Sequence, residues 1–283
     1  MGSNTRYGIN VPNFGKAFHN PKTLSELASD AEEAGWDGFF IWDHIILDRK
    51  WNVAFVDPWV ALAAVAMKTE RIRIGTLVTP LARRRPWKLA RETVSIDHIS
   101  NGRLILGVGL GVPRDFEAFG EEASNRIRAE KMDEALDVLV GLWTGEPFSY
   151  SGRHYQLAEV TFLPKPVQTP RVPIWVACMW PNKRPLSRAA RWDGVVPVSV
   201  DYPKDLTPYD VKKIITYMAR YRTDPRPFDI CVLGNTPSDP KKRVEMVQPY
   251  VEAGATWWLE SVNDMQGSFQ EMRERIRQGP PSV

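Results

Sequence analysis

Two polar residues that can do chemistry, Asp43 and His44, directly follow an unusually bulky apolar run. The run, from Phe39 to Trp42, indicates a buried strand, and such a strand ordinarily ends in turn residues. Histidine exchanges a proton near neutral pH, so His44 is a candidate general acid or base. A histidine that is hydrogen-bonded only for structure is the competing interpretation. Asp43 is more often a turn or capping residue, and its role stays open.

Further polar, aromatic and glycine residues stand where other strand-like segments end. They would share one site if parallel strands brought their carboxyl ends together. Lys183 and Arg184 open a helical segment, where free backbone N–H groups and the helix dipole favour a phosphate; solvated surface cations are the alternative. The candidates are Asn13, Asp43, His44, Thr76, Thr79, Gly109, Gly111, Asp115, Cys178, Met179, Trp180, Asn182, Lys183, Arg184, Trp257, Trp258 and Glu260.

These candidates contain no nucleophile–base pair and no metal-ligand spacing. The histidines are scattered at positions 19, 44, 98 and 154, and no G-x-S-x-G motif occurs. Cys178 lies in an apolar strand end, and we interpret it as packing against a cofactor rather than as a reactive thiol. His98 and His154 are interpreted as structural. One histidine among aromatic and amide groups suits a planar cofactor better than hydrolysis.

The segments that must position these residues alternate between strand-like and helix-like patterns. Apolar runs bounded by turn residues predict eight strands, at 6–15, 37–45, 71–80, 103–111, 174–180, 193–200, 228–234 and 256–262. Apolar residues at helical spacing predict eight helices, at 21–35, 58–69, 85–100, 125–144, 184–192, 208–222, 240–253 and 265–277. Eight sequential strand–helix units predict an α/β fold of the (β/α)8 TIM barrel type, with its site at the carboxyl ends of the strands.

The alternation breaks once, between the fourth and fifth units. Residues 147–172 combine alternating side chains with several prolines, which predicts a β-hairpin insertion. No glycine-serine linker divides the chain, so residues 1–283 are predicted to form one domain. The glycines of GVGLGV (107–112) do not complete a dinucleotide-binding fingerprint, because Val112 stands where its third glycine belongs.

Composition narrows the class of protein. There are 37 lysines and arginines against 34 aspartates and glutamates, and a net charge of +3 is too small to predict nucleic-acid binding. The longest apolar stretch, 58–67, is too short to cross a bilayer, so no membrane partner is expected. Cys178 and Cys231 lack the spacing of a zinc site or disulfide framework, which favours a cytoplasmic protein. The run Arg83–Arg85 is interpreted as a solvated loop face that can steer an anionic cofactor.

The ordered series of motifs resembles the bacterial luciferase-like superfamily of flavin- and deazaflavin-dependent oxidoreductases. The likeness covers residues 6–200 well and the remaining units only in outline. The motifs that carry it are WDHI (42–45), IGTLVTP (74–80), RRRPWKLARETVSIDHISNGRL (83–104), LILGVGLGVPRDFEAFG (104–120), PIWVA (173–177) and RPLSRAARWDGVVPV (184–198).

The resemblance implies a cofactor lying across the barrel mouth. Coenzyme F420, an 8-hydroxy-5-deazaflavin, is favoured because the Asp43-His44 pair resembles the deazaflavin-using branch; FMN is the alternative. His44 would then lie near the reactive centre of the ring. The branch has a non-proline cis peptide that supports the ring, and the matching bond here is Thr76–Leu77. The resemblance thus adds Leu77 and Ala177 to the cofactor-binding candidates.

The sequence departs from the branch at a residue that is a proposed proton donor. Some members carry a glutamate just after the glycines of the fourth strand, and Val112 replaces it here. The donor is then His44, Asp115, Glu117, water or none. Histidine is the natural candidate, because hydride transfer to a carbonyl or activated alkene needs a proton partner of suitable pKa.

The predicted function is hydride transfer between F420 and a small organic substrate. Two alternatives stay open: an FMNH2-dependent monooxygenase, which needs a partner reductase, and a non-catalytic flavin-binding protein. Loops 46–57 and 113–124 and the hairpin at 147–172 are predicted to shape the substrate pocket. Members of the family are often dimers, so a homodimer is expected, with the hairpin as a lid or part of the subunit interface.

Overall fold

Parallel strands, each hydrogen-bonded to two neighbours, close into a barrel. The computed structural model describes residues 5–48, 50, 52–201 and 204–281. In chain order the strands are β1 (Arg6–Val11), β2 (Gly38–Ile41), β3 (Arg73–Pro80), β4 (Leu104–Gly109), β5 (Pro147–Ser151), β6 (Gln156–Thr161), β7 (Ile174–Trp180), β8 (Gly194–Ser199), β9 (Asp229–Gly234) and β10 (Trp257–Ser261). Around the barrel the order is β1-β10-β9-β8-β7-β4-β3-β2. The prediction of a (β/α)8 barrel is confirmed.

Helices connect the strands and cover the outside of the barrel. They are α1 (Gly15–Phe18), α2 (Pro21–Glu33), α3 (Pro58–Lys68), α4 (Pro86–Ile99), α5 (Arg114–Glu117), α6 (Asn125–Trp143), α7 (Lys183–Ala189), α8 (Pro208–Tyr221), α9 (Pro240–Glu252) and α10 (Phe269–Arg277). Several begin with proline behind a capping side chain; in α3, Asp57 accepts from the N–H groups of Trp59 and Val60. Within the described ranges, none of the helices has the length and apolar character needed to cross a bilayer.

The short helices α1 and α5 are not predicted by the sequence patterns. The first strand was predicted to extend over residues 6–15, but β1 ends at Val11. The carboxylate of Asp264 accepts from the backbone N–H of Lys16 at 3.0 Å, so a residue from the far end of the chain helps to begin α1. Such a long-range contact leaves no local pattern in the sequence.

The predicted insertion is present as an antiparallel hairpin of β5 and β6, packed on α4 and α6. Glu134 of α6 accepts hydrogen bonds from the backbone N–H groups of Arg153, His154 and Tyr155, which lie in the hairpin turn. The ring of Tyr155 also meets Trp87 of α4 edge-on, 6.3 Å between centroids. The hairpin is thus anchored to the outer helices.

Aromatic side chains fill the amino-terminal half of the barrel. Phe40, Trp175 and Trp257 come from strands that are not neighbours, and their rings lie 5.1 to 6.0 Å apart, so they meet across the interior. The indole of Trp175 donates to the carboxylate of Asp229 at 3.1 Å. Burial raises the pKa of Asp229. Because this half is filled, a ligand has room only at the carboxyl ends of the strands.

Candidate active site

His44 lies just past the end of β2, and its imidazole faces a buried carboxylate. Nδ1 of His44 is 2.9 Å from Oδ2 of Asp115, whose side chain is fully buried. Nε2 lies on the opposite side of the ring. The Asn13 side chain accepts from His44 N at 3.1 Å and donates to His44 O at 2.8 Å. The predicted residues Asn13, His44 and Asp115 thus form one hydrogen-bonded group, in which Asn13 holds the backbone.

A guanidinium joins this pair to a second buried carboxylate. Nη1 of Arg83 donates to Asp115 Oδ2 at 3.0 Å, and Nη2 donates to Asp43 Oδ1 at 2.7 Å and to Asp43 O at 2.9 Å. Arg84 donates to Asp43 Oδ2 from Nε at 3.2 Å and from Nη2 at 2.8 Å. Two carboxylates therefore face two guanidiniums, and we call Asp43, Arg83, Arg84, Asp115 and His44 the charged network. Asp43, whose role the sequence leaves open, accepts hydrogen bonds from both arginines.

The interpretation of Arg83–Arg85 as a solvated loop face is wrong for its first two members. The side chains of Arg83 and Arg84 are 4% and 17% exposed, while Arg85 is exposed. The reason is position: a single 3-10 turn, Leu81–Arg83, leads from β3 to the mouth of the barrel, where the carboxylates lie. Their position right after a strand end is the signal that identifies these arginines.

The loop that carries Asp115 is fixed by Gly111 and by Arg128. Gly111 has a φ of +70°, which suits glycine, and a Cβ there would lie 2.8 Å from Pro80 Cβ. Arg128 of α6 is buried and donates to the carbonyl oxygens of Leu110 and Gly111 at 2.7 and 2.8 Å. Arg128 was missed by the sequence analysis, because its spacing in α6 does not distinguish it from a surface arginine.

The inner wall of the mouth is apolar and closely packed at Gly109, where Val78 occupies the space that a side chain would need. A Cβ on Gly109 would lie 2.6 Å from Val78 Cγ2 and 3.6 Å from Ala177 Cβ. Met179 lies on the same face of β7 as Ala177, because alternate strand residues share a face, and it is 41% exposed. A wall of this kind suits the face of a planar ring. Gly109 and Ala177 of the predicted set are therefore brought together.

Two other predicted cofactor contacts face away from the mouth. Cys178 packs among core residues on the helix side of β7, as alternation with Ala177 requires, and burial raises the pKa of its thiol to about 12. The prediction that it lines the cofactor is wrong. Thr76 is fully buried, and its hydroxyl donates to Gly107 O at 3.2 Å and accepts from Thr79 Oγ1 at 2.8 Å. Thr76 thus joins β3 to β4.

The cis peptide bond expected at Thr76–Leu77 lies one bond later, at Leu77–Val78. It falls where the pairing of β3 with β4 shifts register, between Thr76 and Thr79. Leu77 belongs to the inner cluster, and Val78 packs against that cluster beside Gly109. Val78 therefore lies in the apolar wall beside Gly109.

The remaining predicted residues lie where β7 leads into α7. Trp180 leans toward α8, where its indole donates to Asp210 Oδ1 at 3.0 Å. Asn182 precedes α7 and makes no side-chain capping bond, and Lys183 and Arg184 are exposed. Nothing in this geometry tests their predicted contact with a phosphate. Over the described ranges, no cluster of three or more His, Cys, Asp and Glu is arranged to hold a metal ion.

A barrel with a histidine and an apolar wall at its mouth offers a place where a flat redox cofactor can bind. The chain belongs to the luciferase-like monooxygenase family, whose model matches residues 5–236. The resemblance seen in the sequence is thereby confirmed.

Its relatives use two kinds of cofactor. The F420-dependent glucose-6-phosphate dehydrogenase of Amycolatopsis mediterranei is 33% identical over 171 residues, 57% of this chain and 49% of that protein. The oxygenase component of the flavin-dependent trigonelline monooxygenase of Acinetobacter baylyi is 30% identical over 160 residues, 56% of this chain and 43% of that protein. The chain spans about half the length of these relatives. A similar solved structure is that of an F420-dependent secondary alcohol dehydrogenase in complex with an F420-acetone adduct. The match has a TM-score of 0.81 at 18% sequence identity and covers 99% of each chain, so the two proteins share a fold.

Proposed function

We propose that this protein is an oxidoreductase that binds F420 at the barrel mouth and transfers a hydride to or from a small organic substrate. The observation that carries the proposal is the pairing of His44 with buried Asp115 at the same end of the barrel as the apolar wall of Gly109, Val78 and Ala177. The F420-dependent dehydrogenases among the relatives support the choice of cofactor. The carbon atom that exchanges the hydride would be that of a carbinol or carbonyl.

The residues present fit the cofactor. Gly109, Val78 and Ala177 form an apolar wall on which the face of a flat ring would pack. Lys183 and Arg184 are exposed cations at the same end of the barrel, and they would bind the anionic side chain of the cofactor. When bound, the deazaflavin supplies a hydride donor or acceptor.

His44 would manage the proton. In the oxidative direction the carbinol hydroxyl gives its proton to Nε2 as its carbon gives up a hydride, so the C–O bond becomes a carbonyl. In the reductive direction, Nε2 returns the proton to the forming alkoxide. The apolar wall and the filled barrel exclude water from the hydride path.

A titration of the cofactor-free protein with F420 and FMN in parallel tests the proposal. The eleven tryptophans report occupancy through quenching of their fluorescence. Tight F420 and weak FMN binding is expected. The reverse preference would favour the FMNH2-dependent monooxygenase, to which the flavin-dependent relative points, and oxygen consumption with a reductase would test it. Cofactor binding without turnover on any carbinol or carbonyl would favour a non-catalytic binding protein.

A side chain at position 109 is expected to weaken cofactor binding. In Gly109→Ala the new methyl pushes Val78 toward the mouth, because its Cβ would lie 2.6 Å from Val78 Cγ2. We expect Kd for F420 to rise by about tenfold, on the order of 1.4 kcal/mol. The double variant Gly109→Ala/Val78→Ala removes the displaced methyl and is expected to recover most of the affinity. Equal Kd values in the wild type and Gly109→Ala would contradict the assignment of this wall.

The substrate pocket is proposed to extend beside Phe14. A cleft of about 930 Å³ is lined by Phe14, Leu47 and Phe269 among others, and the Phe14 ring lies 5.9 Å from that of His44, centroid to centroid. The predicted pocket loop 46–57 borders this cleft, although its positions 49 and 51 lie outside the described residues.

Free thiols at Cys178 and Cys231, both buried, suit the reducing cytoplasm that we propose.

We propose that the protein is a homodimer through α3. Val60, Ala63, Ala64 and Met67 recur at helical spacing on its outer face, and Val60 and Met67 are 60% and 77% exposed. A two-fold pair buries the same stripe from both copies, and the two alanines let the helices approach closely.

The double variant Val60→Glu/Met67→Glu is expected to be monomeric, because it places acids in an apolar interface. Sedimentation equilibrium measures the mass, with Tyr209→Glu as the control, since Tyr209 is a similarly exposed apolar residue of α8. A wild-type protein that sediments as a monomer, or a double variant that stays dimeric, would exclude this interface.

A further inference from the structure

We propose that Asp115 is a positioning residue for His44: it holds the proton of the neutral imidazole on Nδ1 and stabilises the imidazolium formed in turnover. This rests on the proposed function only in giving His44 a proton to transfer. Asp115 is too deeply buried to meet a substrate itself, since its side chain is fully buried while that of His44 is 21% exposed. Among the donors that the sequence left open, the geometry therefore favours His44.

The two oxygens of Asp115 have unequal surroundings. Oδ2 accepts from both His44 Nδ1 and Arg83 Nη1, at 2.9 and 3.0 Å. Oδ1 is buried and has no hydrogen-bond partner within the described chain. Arg83 thus helps to hold the carboxylate of Asp115 in place, with Oδ2 facing the imidazole.

Among the described residues, two charged groups are linked to His44 by hydrogen bonds, Asp115 directly and Arg83 through Asp115. Asp115 comes from α5, and Arg83 reaches it from the turn after β3. Two uncharged rings also lie near the imidazole, those of Phe14 and Trp42, at 5.9 and 6.1 Å between centroids. Arg84 pairs in addition with Glu92, whose carboxylate oxygen lies 3.9 Å from Nη1. Of the described residues, Asp115 is the carboxylate in direct contact with the imidazole.

This geometry allows the two effects of Asp115 to be separated by mutation. In Asp115→Asn the amide oxygen can take the place of Oδ2, because both neighbours are donors there. The Nδ1–H bond is then kept, and only the charge is lost. In Asp115→Leu both the acceptor and the charge are lost, so the imidazole proton is free to move to Nε2.

Nitrogen NMR of histidine-labelled, cofactor-free protein reads the tautomer directly. There are four histidines, and His44 is assigned from the spectrum of His44→Gln. We expect Nδ1–H in the wild type and in Asp115→Asn, and a mixed or Nε2–H tautomer in Asp115→Leu. Asp97→Asn is the matched control, since Asp97 is equally buried but binds the backbone at Val167 and Gln168.

Turnover is measured alongside. We expect kcat to fall roughly tenfold in Asp115→Asn and on the order of 100-fold in Asp115→Leu, with Kd for F420 nearly unchanged in both. An unchanged tautomer in Asp115→Leu, or an unchanged kcat in both variants, would overturn the proposal. If the tautomer responds as expected but F420 does not bind, the proposed function fails while the positioning role stands.

Discussion

Replacing His44 with alanine is expected to lower kcat by about 10²- to 10⁴-fold, the usual contribution of a general acid or base. The physical reason is that a carbinol cannot release its hydride easily while its hydroxyl keeps the proton. Kd for F420 is expected to change little, because under the proposed function the apolar wall around Gly109 would hold the ring. The measurement is steady-state F420 reduction with a series of small alcohols, next to a binding titration of the same variant.

His154→Ala is the matched control for this variant. His154 contacts Glu130 at 3.1 Å where the hairpin packs on α6, and its hydrogen bonds to Glu130 and Glu134 do not involve the charged network. It should retain wild-type kcat. If His44→Ala also retained kcat, the proton would have to come from water, and the acid–base role would be lost even if the cofactor were correctly identified. A loss of binding without a loss of kcat at saturation would instead make His44 a cofactor contact.

The fold was predictable because each unit carries its own local signals. Each unit combines an apolar strand with an amphipathic helix, and proline or aspartate marks the start of several helices. Strands and helices alternate eight times, and this alternation leaves few possible topologies. The carboxyl-end rule then located His44, Asp115 and Gly109 from their positions after strands. The short helices α1 and α5 carried no such pattern. Helix α1 depends on Asp264, a contact between opposite ends of the chain.

The errors at the site come from side-chain direction and from tertiary pairing. Cys178 was assigned to the cofactor because it lies near the end of β7, but a strand turns alternate residues to opposite faces, so only Ala177 and Met179 face the mouth. The sequence predicts that Arg83 is solvated, because a run of three arginines carries no sign of the carboxylates that pair with it. Those carboxylates belong to Asp43 and Asp115. Their positions in sequence, 40 and 32 residues away, are unrelated to their distance in space.

Arg83 is predicted to be the residue of the charged network on which stability depends most. Its side chain is 4% exposed and lies between two carboxylates that are at most 1% exposed. In Arg83→Met, Asp43 keeps its two bonds from Arg84, but Asp115 loses its guanidinium partner. Breaking a buried ion pair by removing one partner costs about 3–5 kcal/mol. Thermal unfolding should show a fall in Tm on the order of 10 °C.

Two variants separate the loss of charge pairing from a general effect of losing an arginine. Arg85→Met changes the exposed neighbour in the same run, and its Tm should stay close to that of the wild type. Arg83→Met/Asp115→Asn removes the unpaired charge as well as its partner, so it is expected to be more stable than Arg83→Met alone. If the double variant were less stable than Arg83→Met, the cost would come from lost packing of the arginine stem rather than from a buried, uncompensated carboxylate. The link from Arg83 through Asp115 to His44 would then serve the acid–base site without holding the barrel mouth together.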